Sequence, residues 1–190
     1  MRRCYRVGWS RWQRLAIGPT LPPVSLIVDH RGPFHAIGSD GQLVIALMIR
    51  PIDRAVTAEL GRVLQRTLAA HQNHLAYLHI TSLESGGAAD IAEVRKHYGT
   101  LVQRFTHAQG AIALVAENDG FTGALVRSSF TAVMAMTGRN GLPGKAFAQV
   151  GPATHWLRVT ALDRGVSTLP TNPEIAERVA ELRRFPAGDG

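Results

Sequence analysis

Three short and nearly unbroken apolar runs, Gln42 to Ile49, Leu75 to Ile80 and Ala111 to Ala116, alternate along this chain with stretches of helical period. Few folds accept that alternation. An unbroken apolar strand such as Ala111 to Ala116 is the kind that a parallel sheet covers on both faces. Between the runs, Asp53 to Ala70 places Val56, Leu60, Val63, Leu64 and Leu68 on one helical face, with Arg54, Glu59, Arg62 and Arg66 off it. Ala88 to His107 repeats the pattern with Ile91, Val94, Tyr98, Leu101 and Phe105, and Phe121 to Thr137 is the third helix. Strand, helix and strand in succession make right-handed crossovers, hence a sheet with parallel neighbours and flanking helices.

Ahead of this unit, Val24 to Val28 reads as a strand, and Phe34 to Ile37 with Gln42 to Ile49 flank Ser39-Asp40-Gly41. Asp-Gly supplies the positive φ angles of a tight turn, so these segments form a hairpin, which Pro51 ends. After it, Ala146 to Val150 is a last strand, Ala153 to Leu162 a short helix, Asp163 to Pro173 a loop and Glu174 to Arg184 a charged terminal helix. The expected fold is therefore α/β, an N-terminal β-hairpin followed by alternating helices and strands, with a mixed sheet flanked by helices. Residues 24–162 form one domain, residues 1–23 an arm, and residues 163–190 a loop and short C-terminal helix.

Composition narrows the class. With 45% apolar residues in 190, the chain can build one substantial core. Its longest apolar stretch, Leu43 to Ile49, is far short of the roughly 20 residues that span a bilayer. Cys4 stands alone, which excludes an intramolecular disulfide and a paired-cysteine metal knuckle. A reducing compartment fits, and the amino end has no apolar export segment, so the expected location is the cytoplasm.

The formal charge of +7 is uneven: +5 falls within residues 1–24, +3 within 25–162 and −1 within 163–190. The arm interleaves Arg2, Arg3, Arg6, Arg11 and Arg14 with Tyr5, Trp9 and Trp12, a mixture that grips phosphates and stacks on bases in nucleic-acid binders. Gly18-Pro19 and Pro22-Pro23 resist regular structure, and the plainer reading is a disordered basic tail. The body is nearly balanced in charge.

Several local strings in this order of elements resemble the STAS domain, the fold of anti-sigma factor antagonists and of the cytoplasmic parts of sulphate transporters. The strings are Arg50-Pro51-Ile52-Asp53 at the end of the hairpin, Ser85-Gly86 before the second helix, Glu117 to Ala124, and Gly144-Lys145-Ala146-Phe147. Together they cover about residues 34–160 and look like the divergent bacterial STAS-like proteins. Pro51 stands where the family has Gly, and only Ser85-Gly86 of its Asp-Ser-Ser-Gly string is kept. The resemblance implies a signalling module that works by protein contact, with Ser85 as a candidate phosphorylation switch; the alternative reading of Ser85 is a helix cap.

Arg50, Asp53, Ser82, Glu84, Glu117 and Asp119 each follow the carboxyl end of an expected strand, the edge at which open α/β sheets bind ligands. Carboxylates there act as acid, base or cation ligand, or else cap helices, as suits Asp53 and Asp119. His71, His74 and His79 are close in sequence, but no Cys or carboxylate completes a metal set, and no metal or other cofactor is expected. Gly138 to Lys145 fails as a phosphate-binding loop, with one residue too many between its glycines, and no Gly-x-Ser-x-Gly string is present.

The third helix is the most informative surface. Phe121, Leu125, Ala132 and Met136 lie on one side and Val126, Phe130, Val133 and Met134 continue round, an apolar arc of roughly 220° against the ~100° that one packed face requires. Either the domain itself covers this arc or a second chain does, which makes Phe121, Val126, Phe130 and Met134 interface candidates.

The expected function is thus a non-catalytic regulatory or protein-interaction module with a protein partner or self-association. The alternatives are a domain binding a small lipid or nucleotide, and an acid–base enzyme at the strand-end edge. Deleting residues 1–23 is expected to leave the domain folded; a thermal midpoint lowered by more than about 5 °C would contradict this.

Overall fold

The computed structural model describes residues 26–49, 54–82, 88–105, 107–136 and 141–185; the side chains at 88–91, 93, 94, 97 and 102 fall outside that description. Six strands stand in the sheet in their order along the chain: β1 (Ile27–Gly32), β2 (His35–Asp40), β3 (Leu43–Met48), β4 (His74–Thr81), β5 (Gln109–Ala116) and β6 (Gly144–Phe147). The first three pair antiparallel and the last four parallel. The expected α/β fold is present, with its hairpin extended to a three-stranded meander by β1, which the short Pro33-Phe34 turn joins to β2.

The connections α1 (Arg54–Ala70), α2 (Ala88–Arg104) and α3 (Gly120–Met136) each lead to the next strand over. Crossovers of one hand between successive neighbours put all their helices on one face. Val44, Ala46 and Met48 of β3, Leu75 and Tyr77 of β4, and Ile112 and Leu114 of β5 accordingly form one core with Leu60 and Leu64 of α1, Tyr98 of α2 and Phe130 of α3. The alternate strand residues, Leu43, Ile45, Ala76, Leu78, Ile80, Ala111, Ala113 and Val115, point the other way. They are covered by α4 (Val150–Asp163) and α5 (Asn172–Leu182), through Ala153, Leu157, Ala161, Ile175, Val179 and Leu182.

Several boundaries differ from the sequence reading, the first being β1, which is Ile27–Gly32 where a strand over Val24 to Val28 is expected. The turn of the second hairpin lies at Gly41-Gln42, with Gly41 at φ +58°. The last strand ends at Phe147, and α4 begins at Val150, because Pro152 sits in the first helical turn, where its missing N–H has no intrahelical partner to lose. The terminal helix is charged on one side only. Its other side belongs to the second core, and its amino end is a capping box between Thr171 and Glu174.

Truncation after Asp163 removes Val166, Ile175, Val179 and Leu182, all buried. At about 1.5–3 kcal/mol for each buried side chain, the loss approaches the ~5–15 kcal/mol by which domains are stable, so the truncated chain is expected to lose its cooperative thermal transition. Ile175→Ala in the full chain is the milder probe: a cost of about 2–4 kcal/mol, read as a fall in Tm of roughly 5–15 °C.

Candidate functional site

The carboxyl ends of the parallel strands hold what the structure describes of the expected edge site. Thr81 and Ala116 are register partners, and the ladder runs one residue further, with Ser82 N–H donating to the Met48 carbonyl and Glu117 N–H to that of Thr81, each at 3.0 Å. Ser82 and Glu117 therefore stand side by side, and exposed Asp119 lies two residues beyond Glu117. Arg50, Asp53, Glu84 and Ser85 lie outside the described residues.

From this edge the chain leaves in two directions. After β5 it enters α3 on one face, and after β6 it enters α4 on the other, so the carboxyl ends of these two strands flank the reversal at which open sheets form a crevice. The local backbone is tight there. Gly120 takes φ +66°, and a Cβ on Gly123 would stand 1.8 Å from the Asn118 carbonyl oxygen, so α3 can begin this close to the strand only with glycine at 123.

Two arginines outside the expected set also occupy this edge. Arg127 Nη1 donates to the Ala116 carbonyl at 3.1 Å, and the Arg183 guanidinium, just past α5, donates to the Glu117 carboxylate. Neither pairing is visible in sequence, since the partners are 11 and 66 residues apart. The Arg183–Glu117 pair is partly exposed on both sides and contributes at most about 1 kcal/mol.

The histidines are not brought together. His74 Nδ1 meets the His71 carbonyl at 3.2 Å in the turn before β4, whereas His79 is buried five residues further along that strand. His79 Nδ1 and the Tyr77 hydroxyl share a hydrogen bond of 2.9 Å, and Tyr98 packs on His79 and edge-on against Phe130. Burial raises the pKa of both tyrosines well above the ordinary phenol value, so both stay neutral. Among the described residues no three His, Cys, Asp or Glu side chains gather as a metal site, and no helix is long and apolar enough to cross a membrane.

The arc of α3 divides. Val126 and Phe130 are fully buried in the first core, and Met134 packs against that core near Gly144, whereas Phe121 is 80% exposed. Val126 and Phe130 are thus interior residues rather than surface ones. On the outer side, Phe121 is joined by Met136, 78% exposed.

A second concavity, unforeseen in the sequence, lies at the opposite end of the sheet. Its volume is about 450 Å³, and it opens between the β2–β3 turn, the end of α4, the 164–171 loop and the first turns of α5. Gln42, buried beside Gly41, fixes the loop: its Oε1 accepts from the Ser167 and Thr168 amides, both at 3.0 Å, with the two hydroxyls at 3.2 and 3.3 Å. Arg178 Nε donates to Asp40 Oδ2 at 3.2 Å across the floor. Hydrogen bonds from the Thr171 amide and hydroxyl lower the pKa of Glu174 and keep its carboxylate ionised at the rim.

Comparison with protein-family models, curated proteins and solved structures gave no match in any of the three.

The division of α3 predicts contrasting variants. Val126→Glu or Phe130→Glu places a charge in a sealed core, costing more than about 4 kcal/mol, and is expected to abolish the native circular-dichroism melt. Arg183→Ala is expected to lower stability by less than about 1 kcal/mol in the same measurement.

Proposed function

We propose that this chain is a non-catalytic regulatory module that acts by protein contact, and that its contact surface is the outer face of α3, paired with the same face of a second copy. The observation that carries the reading is the absence of charge from that face. In all of Gly120–Met136 the one charged residue is Arg127, and its guanidinium is turned back to the Ala116 carbonyl. A helix whose outer side meets only water ordinarily carries charged side chains there.

The hydroxyls of the outer face point the same way. Ser128 Oγ donates to the Leu125 carbonyl at 3.0 Å and Thr131 Oγ1 to the Arg127 carbonyl at 2.9 Å, so both are satisfied within the helix and neither depends on water. What remains outward is Phe121 and Met136 at the ends and Ala124, Ser128, Thr131, Ala132 and Ala135 between them. Large, small, large is a self-complementary order. In an antiparallel pair about a twofold axis near Ser128, Phe121 meets Met136 of the second copy at both ends, and the small residues let the two backbones approach. The resemblance of residues 34–160 to STAS domains supports the same regulatory class, as does the engagement of Glu117 by Arg183 against acid–base chemistry.

One helix pair of four to five turns is small for a stable interface, so the dimer is expected to depend on concentration. Sedimentation over about 10–500 µM is expected to show it form, and Phe121→Glu or Ala132→Arg, both at exposed positions, to leave a folded monomer. A native chain that stays monomeric throughout, or variants that associate as it does, would overturn the proposal.

A further inference from the structure

The cavity at the amino ends of the strands is lined by a residue whose buried donor lacks an acceptor. Four charged side chains line it: Asp40, Arg158, Glu174 and Arg178. Asp40 and Arg178 pair with each other, and Glu174 is held by Thr171. Arg158 lies within electrostatic reach of Glu174 and helps to hold that carboxylate ionised. Its Nε is buried without a hydrogen-bond partner, and among the described residues no carboxylate forms an ion pair with it. Buried donors on charged groups are almost always satisfied, so an orphan of this kind in the wall of a cavity calls for a partner.

We propose that this cavity binds a small monocarboxylate with a short apolar body, held by Arg158. Nε is shut off from solvent, so the guanidinium must tilt for a carboxylate to bridge Nε–H and an Nη–H side-on. No hydrogen bond of Nε opposes that tilt, and the donor gains the acceptor that it lacks at rest. Leu162, Leu169 and Pro170 give the remainder of the ligand an apolar wall, and about 450 Å³ falls within the ~300–1,000 Å³ of small-molecule sites.

The carboxylates of the cavity select against higher charge. A phosphate dianion would bring a second negative charge beside Asp40 and ionised Glu174, whose charges Arg178 and Arg158 already offset. A monoanion adds the least charge to a lining whose two acids and two arginines balance. The site is independent of the α3 face, which lies on the other side of the sheet.

The test is an amide-resolved NMR titration of the full chain with hexanoate, with inorganic phosphate as the competing probe. Hexanoate is expected to shift the Gly41, Ser167 and Thr168 amides saturably, with half-saturation below about 5 mM. Arg158→Gln is expected to weaken this at least about tenfold and Arg158→Lys by less, because lysine keeps the charge without the fork. Thr168→Glu, at an exposed rim position, keeps the test open should either Arg158 variant lose the native spectrum; its added charge is expected to weaken hexanoate severalfold. Absence of saturable shifts at these amides, unchanged affinity in folded Arg158→Gln or in Thr168→Glu, or phosphate binding as tightly as hexanoate overturns the proposal. The oligomeric state read by sedimentation is untouched by any of these outcomes, so failure here and failure of the α3 pairing are distinguishable.

Discussion

A sheet whose strands follow chain order is covered by its own crossovers on one side only. Each of α1, α2 and α3 connects adjacent strands, so all three pack on the same face and leave Leu43, Ile45, Leu78, Ala113 and Val115 bare on the other. The last third of the chain answers that constraint. After β6 the chain crosses to the open face, α4 lies over the middle strands, and α5 closes the side toward the meander. Burial of α5 is therefore not an ornament on a finished domain, and its inward residues Ile175, Val179 and Leu182 complete the second core.

The same crossing sets the chemistry of both ends of the sheet. Because α4 runs back from the carboxyl edge, its last two turns deliver Arg158 and Leu162 to the amino edge, where the loop folds over Gln42 and α5 begins. Because α5 returns, its end delivers Arg183 to Glu117. One end thus gains a cavity in which Arg158 Nε lacks a hydrogen-bond partner, while at the other Arg183 pairs with Glu117.

Much of this fold was legible locally. The face of α1 carrying Val56, Leu60, Val63, Leu64 and Leu68 is buried as its period requires, and the apolar runs of β3, β4 and β5 are central strands. The second coverage layer was harder to read. In α5 the charged residues Glu174, Glu177, Arg178 and Glu181 are interleaved with the apolar ones, and only the 3.6-residue spacing of Ile175, Val179 and Leu182 betrays a buried stripe. Of the edge site, Ser82 and Glu117 do stand together, because both follow the last paired residues of neighbouring parallel strands. The cavity was invisible because its residues come from three separate segments, 40–42, 158–170 and 174–178, and no local pattern joins them.

Helices α1 and α3 make the strongest internal comparison, since they are equal in length, lie in the same layer and are both crossovers. The outer side of α1 carries Arg54, Arg62 and Arg66, with Arg62 paired to Glu59 at 2.6 Å and Arg66 to Asp29. The sheet thus makes no demand for an uncharged outer face on such a helix. Packing inward accounts for Gly123, Val126, Phe130 and Val133 of α3, which meet α2, β5 and β6. It does not account for Phe121 and Met136, whose apolar surfaces stand in water at a hydrophobic cost of about 25 cal/mol per Å². Single exposed apolar residues are ordinary, but two on one uncharged face, with the Ser128 and Thr131 hydroxyls bonded back to the helix's own carbonyls, leave a surface that hydrates poorly. A contact that removes this surface from water is favoured by the same term that drives the core together.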